Sequence, residues 1–453
     1  MTPESVATDL SALSSLLRGM VHLPDGDGYD AARQVWNGMI DRRPAAVVCA
    51  AGVADVISTV KFAGEQDLPI AIRCGGHNVA GTAVGDGGIV IDLARFKSVR
   101  VDPVQRKARA GGGVLWGEYD HETQAFGLAS PGGAISTTGI AGLTLGGGYG
   151  YLSRRYGMAC DNLLSADVVT ASGEFVTASA DSHADLFWAL RGGGGNFGVV
   201  TSLEFQLHPV REPFAGLIVF PFQMAKTVMQ RVRDLSLEAS DDLTLMAAII
   251  PSPDGGKFMA TVLCDTGANG EGERTANALR ELGSVLMDTV APMPYCAMQR
   301  QVDVSYPKGQ RHYWKSAFLK TLPDDVIDLV IEFASTAPSP MNVIMIEIYG
   351  GAVARVASDA TAFGHRDALF NLGILAISND PAIDVAQKTW ARDAWQKALP
   401  YSTGGAYVNY MSEGEDVHAA YSDARLQRLA TIKAQYDPAN LFRFNQNIPP
   451  AKS

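Results

Sequence analysis

The chain is short of cysteine. There are five in 453 residues, Cys49, Cys74, Cys160, Cys264 and Cys296, odd in number and without metal-ligand spacing. Neither a disulfide framework nor a thiolate metal centre is expected, and reduced thiols fit a cytoplasmic location. Positive charge is also scarce, with 37 Lys and Arg against 48 Asp and Glu and a formal net charge of −11. Binding to nucleic acid or to an anionic membrane needs clustered basic residues, so neither partner is expected. No apolar run approaches the roughly 20 residues of a spanning helix. The N-terminus, with Glu4, Asp9 and a single early Arg18, lacks the regions of a secretion signal. The nicotinamide fingerprint G-x-G-x-x-G does not open a helix after the first strand, and the phosphate loop G-x-x-x-x-G-K-[ST] is missing, which disfavours a nicotinamide-dependent dehydrogenase.

What the chain has in plenty is glycine, 47 residues, within a globular composition of 47% hydrophobic and 19% charged residues long enough for two or three domains. One cluster is Arg73-Cys74-Gly75-Gly76-His77-Asn78, directly after the apolar run Pro69-Ile70-Ala71-Ile72. An extended segment entering two glycines lets several N–H groups converge on one anion, and His77 then offers a nucleophilic ring nitrogen. These residues alone fit equally an ordinary glycine turn with a surface histidine. The second cluster, residues 130–150, is too glycine-dense for a helix or strand interior, where each glycine costs about 0.5–1 kcal/mol. A contact from outside the coil must offset that cost.

Taken in order, the pattern predicts a helix over 3–17, a strand over 45–50, a helix over 53–64 and a strand over 70–73, a β-α-β start. Short strands follow at 89–93, 98–101 and 108–110, then a helix over 115–126. Strands 166–171 and 174–178 flank Ser172-Gly173, read as a two-residue hairpin loop, and Ser182 is expected to cap a helix over 184–190. Residues 199–207 alternate cleanly, with Val199, Thr201, Leu203, Phe205 and Leu207 on one face, and Pro209 marks a domain break. From 214 to about 402, strands at 243–250, 258–263, 311–319, 343–350 and 370–378 alternate with helices at 224–237, 273–282, 324–334 and 382–399. That order suggests an antiparallel sheet covered on one side, and a helix over 419–435 closes the chain.

Strand parity gives the sharpest local reading. In residues 342–349, Ile344, Ile346 and Ile348 form a β-branched face suited to packing under helices, while Val343, Met345, Glu347 and Tyr349 share the other. A carboxylate beside a tyrosine on an apolar strand is costly unless solvated or paired, so that face is expected to border a cavity. An exposed strand end with a bonded carboxylate fits these residues as well. Asn371 and Gly373 likewise share a face, or mark a bulge at a sheet edge.

Six blocks in order resemble one family. They are Arg73 to Asn78, the stretch 130–150, Asp161-Asn162-Leu163, Gly192 to Val200, Tyr407-Val408-Asn409-Tyr410, and Tyr436 to Pro450. Together they resemble the berberine bridge enzyme-like FAD-linked oxidases of the vanillyl alcohol oxidase superfamily, with a PCMH-type FAD-binding domain. The resemblance implies an α+β fold, with a FAD-binding part over 1–209, a substrate domain over 210–402 with an antiparallel sheet covered by helices, and a C-terminal return to the FAD domain over 403–453. It implies FAD joined to His77 through the flavin 8-methyl carbon, with the turn Arg73, Cys74, Gly75, Gly76 to Asn78 around the pyrophosphate and Gly81 among the further cofactor contacts. The family's second, cysteinyl tether would fall at Ile135, so one covalent bond is expected, and Cys74 departs from the family's usual glycine.

The same resemblance places Thr138 beside the reactive edge, where oxygen access is controlled, with Leu143 and Tyr149 on the same side. Plain packing of a coil also accounts for Thr138 and Leu143. Ser136, Gly139, Gly142, Gly147, Val200, Asn409 and Asn445 complete the implied cofactor contacts, and no metal is implied. Tyr410, Glu347 and Tyr407 are the implied catalytic residues, with the base left open between Tyr410 and Glu347. A tyrosine base needs its pKa of about 10 lowered, for which the flavin, Lys315 or Arg154 are candidates. The implied reaction moves a hydride from an alcohol, sugar, amine or secondary-metabolite small molecule to FAD, with O2 regenerating it and giving H2O2. A flavin dehydrogenase with another acceptor, or a binding protein that keeps the fold without turnover, are the alternatives, and a homodimer is the candidate assembly.

Overall fold

β-branched runs too short to stand alone become strands by pairing across the chain. The computed structural model describes residues 10, 12–210 and 212–452. Of the helix expected over 3–17, residues 3–9 and 11 lie outside the described residues, while 10 and 12–16 are helical. Ala46–Cys49, Ile70–Arg73 and Ile89–Asp92 form a parallel core, joined at one edge by antiparallel Met20–His22. The strands on either side of the helix Val53–Glu65 are not neighbours, because Ile89–Asp92 inserts between them. That helix buries Val56, Val60 and Ala63 against Val48, Ile89 and Ile91, the outcome its spacing predicts.

A second, five-stranded antiparallel sheet runs in the order Val99–Asp102, Lys107–Gly111, Val199–Gln206, Leu163–Val169, Phe175–Ser179. Two local expectations are corrected here. The hairpin loop has three residues, not two: Thr170 N–H bonds Glu174 O and Gly173 N–H bonds Thr170 O, both at 2.9 Å, with Gly173 at φ 77°. A turn followed by a left-handed glycine is the usual three-residue solution. Ser182 does not cap the helix Ala184–Leu190; the cap position is His183, and Ser182 N–H bonds Ser179 Oγ instead.

The third sheet has eight strands in the order Met287–Asp288, Phe214–Pro221, Lys257–Asp265, Leu243–Pro251, Val343–Ile348, Phe370–Ser378, Arg311–Leu319, with Ala291–Pro292 also on Phe214–Pro221. Every pairing in it is antiparallel. Phe214–Pro221 was not anticipated. A Cβ at Gly216 would sit 2.7 Å from the Thr289 carbonyl, so the glycine that obscures the strand pattern is what lets the next segment pack on it. Helices Ala225–Glu238, Asp324–Ser335 and Asp384–Ala398 cover one face, burying Val228, Ile327 and Trp390 with Ile344, Ile346 and Ile348. The other face is left for the site.

The C-terminal tail ties the sheets together. Lys433, in helix Asp423–Tyr436, donates to Asp437 Oδ2 at 2.6 Å, Asn196 O at 2.7 Å and Phe442 O at 3.0 Å. Both members of this ion pair are fully buried. Leu441 O accepts from Ile70 N–H at 2.9 Å, so the tail also fixes the strand that leads into His77. Among the described residues, no helix is long and apolar enough to cross a membrane.

Candidate active site

The two glycine coils meet backbone to backbone. A Cβ added at Gly75 would lie 2.5 Å from Gly139 N, and one at Gly139 would lie 2.5 Å from Gly75 N. Gly76, at φ 64°, turns the chain so that His77 follows in the left-handed bend's wake. The His77 ring stacks on Trp36 at 4.1 Å and 19°, and Trp36 stacks also on His312 at 4.0 Å and 22°. Trp36 Nε1 donates to Tyr306 O at 3.1 Å, which fixes the indole. Burial among these rings lowers the His77 pKa to about 4, so the imidazole is neutral near pH 7. Its Nε2 lies 3.3 Å from Thr137 Oγ1. Before this loop, Arg73 pairs with Asp92 at 2.7 Å, holding the end of the strand.

Between the coils and the open face of the large sheet lies a cavity of about 720 Å³. Gly142 and Gly195 line it with nothing within 4 Å of where a Cβ would stand, so their missing side chains leave flat space. At the tail end, the buried Asn445 Oδ1 and Gln446 Nε2 have no protein partner. Open backbone, unpaired polar atoms and a neutral imidazole at one wall fit the flavin expected here. Cys74 also lines the cavity, its thiol pushed up to about 12 by burial, as does Ile135, where the family's second tether would fall.

Most of the site residues inferred from sequence meet here. Gly75, Gly76, His77 and Asn78 line the cavity from the first coil, and Thr138, Gly139, Leu143 and Tyr149 from the second. Val200, Asn409 and Asn445 join them. Four do not line it. Arg73 faces Asp92, Gly81 packs on Ile40, Gly147 packs on Met158, and the Ser136 hydroxyl donates to Asp303 Oδ2 at 2.5 Å. Each of these four shapes the coil from behind.

On the sheet side, Glu347 and Tyr410 are joined. Tyr410 Oη donates to Glu347 Oε1 at 2.7 Å, and Asn371 Nδ2 donates to Oε2 at 2.8 Å. Glu347 is 2% exposed, and burial raises its pKa to about 7 despite both donors, which favour the ionised form. Burial and the Glu347 charge hold Tyr410 well above its ordinary value, opposite in direction to the shift a tyrosine base needs. The two cations considered for it act elsewhere: Arg154 donates to Leu243 O and Tyr349 O, and Lys315 pairs with Glu415 at 3.0 Å. The Tyr407 hydroxyl accepts from Gly148 N–H at 2.8 Å and Asn409 Nδ2 at 2.9 Å, while Asn409 also donates to Leu143 O. Among the described residues, no group of three or more His, Cys, Asp or Glu side chains could hold a metal ion.

Several participants escaped the sequence reading. Trp36 and His312 lie far from His77 along the chain, and neither carries a local pattern. Trp314, which meets Tyr410 edge-on at 5.5 Å, follows only once the register of Arg311–Leu319 is known.

Comparison with known proteins agrees with this geometry. A model of the FAD binding domain matches residues 44–179, and one described as berberine and berberine like matches 406–449. The chain is 32% identical to (R)-6-hydroxynicotine oxidase of Paenarthrobacter nicotinovorans over 99% of both chains. It is 30% identical to an FAD-linked oxidoreductase of Dictyostelium discoideum over 92% of this chain and 91% of that one. Among solved structures, 6-hydroxy-D-nicotine oxidase from Arthrobacter nicotinovorans superposes with a TM-score of 0.88 at 30% identity, covering 96% of this chain and 98% of that one. A berberine bridge enzyme-like protein of Physcomitrella patens gives 0.89 at 25% identity, covering 98% and 100%. Two coils that touch only because both carry glycine, a tail that returns to them, and likeness along nearly the whole length have one source: the chain belongs to the berberine bridge enzyme-like family of FAD-linked oxidoreductases.

Proposed function

We propose that this enzyme is an oxidase that takes a hydride from a substrate carbon bearing nitrogen or oxygen, with FAD tethered to His77 and Glu347 receiving the accompanying proton. The observation that carries the reading is the Glu347 carboxyl on the cavity wall, held by Tyr410 and Asn371 with a pKa near 7. A base poised near neutrality both accepts a proton at working pH and releases it afterwards. Bound in the cavity, FAD supplies the hydride acceptor, and O2 restores its oxidised state with formation of H2O2.

The chain's own groups divide the remaining work. Tyr410 is a donor in this geometry and orients the carboxylate. Tyr407 holds Asn409 and Gly148, which keeps the second coil in place. His77, neutral and pinned by Trp36, has the free electron pair that attachment to the flavin needs. The neutral imidazole, the cavity it borders and the relatives named as oxidases support this reading. The test is anaerobic mixing of the purified enzyme with amines, phenolic alcohols and sugars while following the flavin colour. Bleaching by a compound, followed by peroxide formation on admitting air, is the expected result. Bleaching that only an artificial acceptor reverses would replace the oxidase with a dehydrogenase.

A further inference from the structure

The register of the large sheet lays its open face out in rungs. One rung runs Leu217, Val262, Met246, Glu347, Asn371, and the next runs Val219, Ala260, Ala248, Met345, Gly373. The second rung carries two alanines and a glycine beside longer neighbours. Ala248 and Ala260 line the cavity one rung from Glu347, so they leave a seat next to the carboxyl. Beyond it, Ile250, Val343 and Leu375 continue an apolar wall.

The charge on these walls is one-sided. Among the described residues that line the cavity, Glu347 is the one carboxylate, and no Lys or Arg lines it. Its two hydrogen-bond donors, Tyr410 and Asn371, are neutral. The nearby cations are occupied, Arg154 by backbone carbonyls and Lys315 by Glu415. An ionised carboxylate in an apolar space without a counter-charge is costly, and a ligand that brings the charge relieves that cost. A sugar would bring several hydroxyls against Ala248, Ala260, Val262 and Met246, which offer them no partner. The rim repeats the theme, with Met287 48% and Val304 87% exposed where they line the opening.

We propose that the cavity takes a compact apolar amine, bound as its ammonium ion against Glu347 with its carbon body over Ala248 and Ala260, in preference to a sugar or a neutral alcohol. This rests on the flavin oxidase reading above and names its substrate class. In turnover, Glu347 takes one N–H proton from the ammonium. The adjacent C–H bond then breaks, the hydrogen leaving with both bonding electrons to FAD, while the nitrogen electron pair forms the C=N bond of an iminium product.

The test uses the purified holoenzyme and two isosteric probes, cumylamine and cumyl alcohol, which lack hydrogen on the carbon bearing nitrogen or oxygen and so bind without being oxidised. Xylobiose serves as the sugar. Affinities are read by anaerobic calorimetry at mildly alkaline pH, where Glu347, with its pKa pushed up to about 7, is ionised. Cumylamine is expected to bind at least about tenfold more tightly than cumyl alcohol, and xylobiose more weakly than either. Glu347→Gln should remove the amine's advantage while leaving the alcohol's affinity in place. Ala248→Leu, with flavin content reporting its folding, should weaken both cumyl probes. An alcohol that matches the amine, an advantage that survives Glu347→Gln, or preferred binding of xylobiose would overturn the proposal. A chain that purifies without flavin fails earlier and differently, because it removes the oxidase reading itself.

Discussion

Tyr410 donates a hydrogen bond from its hydroxyl to Glu347 across 2.7 Å, so within this pair the tyrosine is the donor and the carboxylate the acceptor. The direction follows from burial, which raises both pKa values but leaves the carboxyl titrating near 7 and the phenol far above it. In the proposed reaction, the two groups left as alternatives by the sequence thereby take different parts.

Replacing Glu347 by Gln keeps the shape of the site and an oxygen that accepts from Tyr410, gives up the acceptor facing Asn371 Nδ2, and removes the proton acceptor. Anaerobic flavin reduction by substrate should slow by about 10²–10⁴-fold, the usual worth of a positioned base. Stopped-flow absorbance measures it, and a rate within a few-fold of the parent enzyme assigns the proton to another group.

The pH dependence has a definite sign. A base must be ionised, so kcat/KM for flavin reduction should rise as pH increases through about 7 and level off above it. Stability runs the other way. With its folded pKa raised from 4.5, Glu347 makes the folded chain hold more protons than the unfolded chain between about 4.5 and 7, so its contribution declines as pH rises across that window. Urea unfolding at several pH values should show this slope, and Glu347→Gln should flatten it.

Tyr410→Phe removes a bond that favours the ionised carboxylate. Bonds to charged groups are worth about 1.5–3 kcal/mol, so the midpoint of the rate profile should move upward by about one to two pH units. An unmoved midpoint with a collapsed rate would instead make Tyr410 the proton acceptor.

Trp36 stacks on the ring expected to carry the cofactor. Trp36→Leu removes the stacking face and lets water reach His77, which should raise its pKa from about 4 toward its ordinary value and free the ring to turn. Acid precipitation after timed incubation with FAD should show slower attachment, with the final fraction bound less affected. Attachment at the parental rate would leave Trp36 a packing residue.

Lys433 and Asp437 form an ion pair with no exposure at all. Lys433→Met leaves the Asp437 carboxylate buried and uncompensated, a loss of about 3–5 kcal/mol. Adding Asp437→Asn should restore part of it. Denaturant midpoints measure both, and the single variant should also lose flavin sooner, because Asn196 O and Phe442 O lose their shared donor.

How much of this was legible in the sequence depended on whether the signal was local. The alternation through Ile344, Ile346 and Ile348 is local, and it assigned Glu347 to the face that lines the cavity. The glycine coils announced themselves through a cost that only tertiary contact offsets, and Gly75 against Gly139 is that contact. Tyr410's direction of titration was not legible, since desolvation and the neighbouring carboxylate arise only when two distant segments pack. Trp36 and His312 were missed for the same reason, and so was Asp303, whose carboxylate draws Ser136 away from the cavity. The strand Phe214–Pro221 was hidden by Gly216, a residue whose purpose is visible only in the segment that lies across it.

The most direct measurement is mass spectrometry of the protease-digested enzyme. The expected result is one FAD mass on the peptide that spans Cys74 to His77, placed on His77 by fragmentation of that peptide, none on the peptide containing Ile135, and no adduct in His77→Ala. A digest in which all FAD is released free from the parent enzyme, or is found on another residue, would contradict the anchoring of the cofactor at His77.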